Sequence, residues 1–374
     1  MRRLGLELKD LATGPASGVL ATLVRTEGHT YRKAGAQMLV HASGRTQGLL
    51  SGGCLEDLIA GEARGVLAAG VPKVVTYDLM GEEEYLVGYG KGCLGKLWIL
   101  LEPVTPALDA ARRAMLVRLG EATTAAGVAV VYEGPDELLG RRVIVPAGED
   151  CGLAPLALEA RAALSSGRSS HGELVLDGAR VSYAAFSQPA AQDLVVFGAG
   201  PDAEPLARIA AELGWDVRLY DHRPSRIASG RFPAGATLAL YRPDAVGDAV
   251  TLKPASAVVI MTHNLLVDLA LLRWLARQPV ASYVGLLGPA HRRERLFALA
   301  GEDGDDLAEG LGVRLHSPIG LDLGGGSEAD IALAVVAEIQ KWRHTATGES
   351  RRLPAVEPSV APVPCDLAMP GRAS

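Results

Sequence analysis

A chain of 374 residues, 48% hydrophobic and 21% charged, has the length for two or three domains and the apolar content to fill their cores. Its formal net charge of −6 argues against nucleic acid as the main partner, because phosphate binding needs a basic surface. Four cysteines exclude a disulfide framework, and no apolar run has the length of a membrane span or the form of a secretory leader, so a cytoplasmic protein with reduced thiols is expected.

The first expected strand covers residues 19–24, and a polar turn follows at 27–35. Apolar stretches at 37–41 and 46–50 flank Ser43-Gly44 and predict a hairpin. A helix is expected from Cys54 to about Ala69, stopped by Gly70 and Pro72. Short strands at 74–77 and 97–101 enclose an acid- and glycine-rich loop. Pro103 and Pro106 mark a break. Beyond it a helix (108–121), strands (128–132 and 142–145), a helix (156–164) and strands (173–176 and 181–186) continue the same unit. From Asp193 strands and helices alternate, the mark of a parallel sheet. Strands are expected at 194–197, 217–220, 237–240, 257–261 and 283–286, with helices starting near Ala203, Asp268, His291 and Glu328. The expected organisation is an α+β domain over 1–188 and a Rossmann-like, doubly wound α/β domain over 189–345. In the tail, 346–374, Pro354, Pro358, Pro362, Pro364 and Pro370 stand among small residues and predict disorder.

Candidate chemistry concentrates at glycine turns. Ser51-Gly52-Gly53-Cys54-Leu55-Glu56 joins a strand to a helix. Adjacent glycines permit a tight turn and leave backbone N–H groups uncovered. A helix N-terminus adds unpaired donors and partial positive charge. Cys54 is expected in that first turn, where a thiolate is favoured; a buried cysteine beside a structural turn is the alternative. Cys93, in Gly90-Lys91-Gly92-Cys93-Leu94-Gly95, also has small neighbours. Two reachable thiols in one unit suit a soft metal or sulfur chemistry, which makes Cys54 and Cys93 the candidate metal ligands. They fall short of the four close ligands of a structural zinc site. Cys151 and Cys365 read as incidental.

In the second unit, Gly198-Ala199-Gly200-Pro201-Asp202-Ala203 follows a strand and opens a helix. It fits the dinucleotide fingerprint, with Asp221 at the end of the next strand, where a ribose-binding acid belongs. Asp221 favours NAD, while Arg223 would recruit the 2′-phosphate of NADP. Pro201 suits the first helical position but removes a donor that would face a pyrophosphate, so a Rossmann fold with a degraded nucleotide site is the alternative. Met261-Thr262-His263-Asn264 follows the fourth strand, at the carboxyl edge where such folds bind ligands. His263 reads as a proton donor, a ligand holder or a partner of Asp268, or else Thr262 and Asn264 simply cap a helix. Gly288-Pro289 follows the fifth strand. His291, Arg292, Arg293 and Arg295 then set cations against the helix dipole, which suits either an anionic ligand or a solvated face. The loop from His316 past Asp322 to Gly324-Gly325-Gly326 ends at Ser327 and Asp330, spaced as a capping pair.

In order and combination these motifs resemble the XdhC/CoxI family, accessory proteins that mature xanthine dehydrogenase and related molybdenum hydroxylases. In the first unit the resemblance rests on Ala21-Thr22-Leu23-Val24, residues 28–38, Gly48-Leu49-Leu50-Ser51-Gly52-Gly53-Cys54-Leu55-Glu56 and Gly92-Cys93-Leu94-Gly95. In the second it rests on Phe197-Gly198-Ala199-Gly200, Asp221-His222-Arg223, Met261-Thr262-His263, and residues 283–288 and 316–322. It implies that the molybdenum cofactor, a pterin dithiolene with a phosphate, is bound by Gly52, Gly53, Cys54, Cys93, Gly198, Gly200, Asp221, Thr262, His263, Gly288 and Asp322. It also implies that the cofactor is protected while a cysteine desulfurase installs a terminal sulfido ligand. Insertion into a xanthine dehydrogenase-like molybdenum hydroxylase then follows. A homo-oligomeric chaperone without turnover of its own is expected. The rival readings are an NAD(P)-dependent oxidoreductase, with the first unit as substrate platform and His263 as acid, and a redox-sensing thiol protein using Cys54 and Cys93.

Overall fold

The computed structural model describes residues 2–53, 55–79, 95–121, 124–146 and 153–346. Cys54, Cys93, Cys151, Cys365 and the proline-rich stretch after residue 346 lie outside the described residues.

A helix that the strand-centred reading omits opens the chain: α1 (Arg2–Thr13). Its Leu4, Leu8, Leu11 and Ala12 share one face and are buried. Gly5 in its interior lowers the local helix signal. The fold uses that glycine for contact, because a Cβ there would lie 2.5 Å from the carbonyl oxygen of Gly120. Gly120 belongs to α3 (Ala110–Glu121), so the two helices cross backbone to backbone.

Strands β1 (Gly18–Gly28), β2 (Gln37–His41), β3 (Thr46–Gly48), β4 (Lys73–Asp78) and β5 (Gly95–Val104) form an antiparallel sheet of order β3-β2-β1-β5-β4. Alternation along β1 divides its side chains between two cores. Val19, Ala21 and Leu23 pack with Ile59, Ala63 and Val66 of α2 (Glu56–Ala69). Leu20 and Val24 pack with α1, α3 and the second sheet. That second sheet is antiparallel, of order β7-β6-β9-β8, made from β6 (Ala126–Glu133), β7 (Arg142–Val145), β8 (Ser170–Leu176) and β9 (Ala179–Gln188). Its far face is covered by α4 (Ala154–Ser166), which approaches so closely that Gly127 has no room for a Cβ against the Ala160 carbonyl.

The remaining elements are β10 (Asp193–Phe197), α5 (Ala203–Glu212), β11 (Asp216–Asp221), α6 (Pro224–Ile227), β12 (Thr237–Leu240), α7 (Val246–Ala249), β13 (Ser256–Ile260), α8 (Leu265–Ala276), β14 (Ala281–Leu286), α9 (Ala290–Ala300), α10 (Gly304–Leu311), β15 (Leu315–His316) and α11 (Glu328–Ala346). All six strands are parallel, in the order β12-β11-β10-β13-β14-β15 that marks a doubly wound fold. Their side chains alternate between a core under α8 and α10 and a core under α5 and α11. Helix α8 starts three residues before the expected Asp268, because Asn264 accepts hydrogen bonds from the N–H groups of Leu266 and Val267 and caps it there. Pro201 precedes the N-cap Asp202 instead of occupying the first helical position.

Candidate functional site

At the first glycine turn the chain leaves β3 and reverses at Gly52 and Gly53, with φ of 82° and 104°. A side chain at either position would be strained. A Cβ on Gly52 would also press the exposed Tyr31 ring at 3.2 Å, whereas Gly53 faces open space. Helix α2 begins at Glu56 with Leu55 as its N-cap. The first helical turn therefore starts at Glu56; Cys54, expected in that turn, lies outside the described residues.

The donors of this turn are not uncovered. Glu56 folds back over it. Its Oε1 accepts hydrogen bonds from the N–H groups of Leu50 (3.0 Å) and Ser51 (2.8 Å). Its Oε2 accepts from the N–H groups of Gly53 (2.9 Å) and Leu55 (3.2 Å) and from the Ser51 hydroxyl (2.6 Å). Burial pushes the Glu56 carboxyl pKa up, but the hydrogen bonds from Ser51 and Leu50 outweigh it and hold the group below the ordinary carboxylate value. The turn is an anion site whose anion is supplied by its own chain.

The second turn follows β10. Gly198 has a φ of 111°, and a Cβ there would strike the carbonyl oxygen of Met261. Asp221, at the end of the neighbouring β11, is fully buried. Its Oδ2 accepts from Ala199 N–H and Arg223 Nη2, both at 2.8 Å, and its Oδ1 from the N–H and Nε of Arg223, both at 2.9 Å. Burial raises its pKa, yet the Arg223 side chain and the Ala199 N–H bring it below the usual aspartate range. Asp221 thus staples the glycine turn to β11, and Arg223 is committed to it. Beside this staple, Asp202 Oδ2 lies 2.7 Å from Nε2 of His263, an exposed residue held at φ 58°.

Of the alternatives for His263, partnership with Asp268 is not the one seen, since His263 meets Asp202. Asp268 is buried and instead accepts from the Thr262 hydroxyl and from Arg292 Nη2 (2.6 Å) and Nε (3.2 Å). Arg292 packs against Gly288, whose φ is 124°. The basic start of α9 is therefore answered in part by Asp268. Tyr241 lies under the same edge with a hydroxyl that has no partner among the described residues. Burial and the charges of Asp221 and Asp268 push its pKa well up. At the third turn, Asp330 Oδ2 accepts from the N–H groups of Gly326 (3.1 Å) and Ser327 (3.0 Å) and from the Ser327 hydroxyl (2.8 Å). Asp322 is exposed in the loop before it.

Strand register collects Gly198, Thr262, His263 and Gly288 at the carboxyl edge, since Phe197 pairs with Ile260 and Ile260 with Leu286. Gly52 and Gly53 lie elsewhere. Arg32, next to the Tyr31 that covers Gly52, lines a cleft of about 600 Å³ with Gly214, Trp215 and Gly235, which precede β11 and β12 at the amino edge. Six residues of β11 separate the two edges by roughly 20 Å. Among the described residues, those named from the sequence thus form two separate groups.

Comparison with known proteins follows the same division. Residues 12–78 match a family described as "XdhC and CoxI family", and residues 194–339 match one described as "XdhC Rossmann domain". The chain is 32% identical over 340 residues to a probable xanthine dehydrogenase subunit of Bacillus subtilis (strain 168), covering 90% of this chain and 96% of that protein. The chain belongs to the XdhC/CoxI family. It is also 25% identical over 325 residues to the molybdenum cofactor insertion chaperone PaoD of Escherichia coli (strain K12), covering 87% of this chain and 83% of that one. A crystal structure described as a xanthine dehydrogenase from Bacillus halodurans superposes with a TM-score of 0.66 at 25% identity, over 95% of this chain and 98% of the other.

For an XdhC/CoxI protein, two side chains at these turns escaped the sequence reading. Glu56 stands three residues after Gly53, and an acid that close behind a glycine turn is its signal. Asp202 stands inside the glycine fingerprint, and only the fold shows that it faces His263. Among the described residues no cluster of three or more His, Cys, Asp and Glu side chains is placed to hold a metal ion, and no helix is long and apolar enough to cross a membrane.

Proposed function

We propose that this chain is a maturation chaperone that binds the molybdenum cofactor and delivers it to a molybdenum hydroxylase of the xanthine dehydrogenase kind. The observation that carries the reading is similarity along nearly the whole chain, through both units, to a protein named as a molybdenum cofactor insertion chaperone. In this proposal Cys54 and Cys93 are the soft ligands on the metal side. Gly53 fits that role, because open space where its side chain would be leaves room for a bulky group to approach. The donors of the same turn do not fit the phosphate end, being given to Glu56. When bound, the cofactor supplies the molybdenum centre that the target hydroxylase uses. Protection during sulfuration by a cysteine desulfurase belongs to the proposal, as do a cytoplasmic, homo-oligomeric state and contributions from Gly198, Gly200, Thr262, His263, Gly288 and Asp322 at the carboxyl edge. NAD(P) is not part of it: Asp221 and Arg223, the residues that would read the ribose, are spent on each other and on Ala199.

The test is the molybdenum and pterin content of purified protein after co-expression with such a hydroxylase. Wild type should carry both. Cys54→Ser should lose most of them with unchanged circular dichroism, Cys93→Ser should lose as much or less, and Cys151→Ser almost none. Full retention in Cys54→Ser would show that this thiol does not hold the cofactor.

A further inference from the structure

A cavity of about 910 Å³ opens in the first unit between α3, the end of β5, β7 and the β8–β9 turn. Its size is that of a small-molecule site. Leu108, Met115, Leu138 and Leu153 line it, and at its wall stand Glu102 and Arg142, an ion pair of which both members are more than nine-tenths buried. A buried pair of this kind carries a desolvation cost that apolar packing would avoid. Leaving it beside unfilled space also forgoes packing. Gly140, at φ 78°, keeps one side of the carboxylate clear, because a Cβ there would come within 2.6 Å of Glu102 Oε1. At the rim, Arg112 and Arg141 pair with Asp109 (3.6 Å) and Asp177 (2.5 Å). Those exposed pairs are weak and exchangeable. The ionised side chains of the lining balance, with arginines and acids present in equal number, so the walls favour a ligand body without net charge.

We propose that this cavity binds a planar heterocycle presenting an N–H beside a C=O, the oxopyrimidine edge shared by pterins and purines. Glu102 accepts from the N–H and Arg142 donates to the carbonyl, while the apolar walls cover the ring faces. The proposal deepens the chaperone reading and rests on it for the pterin source, because it places the ring system of the cofactor in the first unit.

The experiment titrates full-length protein with free pterin, followed by its fluorescence, and separately with guanosine monophosphate by calorimetry. Ala114→Trp on the exposed face of α3 fills the mouth of the cavity without touching the ion pair. Saturable binding of pterin is expected, weakened about tenfold or more in Ala114→Trp, at unchanged melting temperature. Glu102→Gln should weaken it as well. Binding of the nucleotide alone, lost in the same variants, would support the cavity and assign it to a purine. The proposal is overturned if neither ring binds, or if Ala114→Trp binds as tightly as wild type. These titrations need no loaded protein. An absence of molybdenum from co-expressed wild type would therefore sink the chaperone reading without deciding this one, and full cofactor retention in Ala114→Trp would do the reverse.

Discussion

The glycine turns after β3 and after β10 look alike in sequence and are satisfied in different ways. In the first, the carboxylate that takes up the backbone donors comes from Glu56, a few residues along the same turn. In the second it comes from Asp221, at the end of the adjacent strand, and an arginine is drawn in with it. A glycine-rich strand-to-helix turn is a demand for negative charge, and that demand can be met from within. The local solution leaves Gly53 open to a visitor; the distant one ties two strands together at the expected nucleotide edge.

The largest effect expected from breaking this comparison is at Glu56. Glu56→Ala removes the acceptor of four backbone N–H groups and one hydroxyl, and should lower stability by roughly 3 kcal/mol in urea titration. Glu56→Gln should recover part of that, and an unchanged midpoint in Glu56→Ala would mean that water replaces the carboxylate without loss. Next comes Asp221→Ala, which strands Arg223 and the buried Ala199 N–H at an expected cost of about 2 kcal/mol. Calorimetry on wild type with NAD and with NADP should show no saturable binding of either. Tight binding of one would mean that the staple opens for a ribose. Acid comes third. Glu56 and Asp221 both have folded pKa values below their ordinary ones. Their contributions are complete above the unfolded values of 4.5 and 3.8 and are lost as pH falls through the lower folded values. Glu56→Gln should therefore flatten the acid limb of a stability–pH curve. The smallest effect is at His263→Ala, where the pair with Asp202 is largely exposed; a change under about 0.5 kcal/mol is expected. A much larger loss would show that the pair organises the edge.

The parallel sheet was legible because its strands are buried on both faces and read as unbroken apolar runs such as Leu194-Val195-Val196-Phe197. The carboxyl-edge grouping followed from it, since every loop after a parallel strand leaves the same side. Helix α1 was not legible: Gly5 breaks its propensity, and only packing on α3 explains the glycine. Which acid meets His263, left open by the sequence, also depends on packing. Sequence neighbours His263 and Asp268 are turned apart by the positive φ at His263, while Arg292 arrives from another helix. Where the Gly52-Gly53 turn sits relative to the carboxyl edge was beyond sequence reading, because it depends on which edge of the sheet the first unit meets.

The burial of α1 has a consequence for how the molecule is made. Leu4, Leu8 and Leu11 share a core with Val128, Val130 and Phe186, so α1 finds its full set of neighbours only when β9 has been translated. At ordinary rates of synthesis that interval is on the order of ten seconds. For all of it an apolar stripe waits unburied. Until that core closes, the nascent chain itself is the species in need of protection from aggregation.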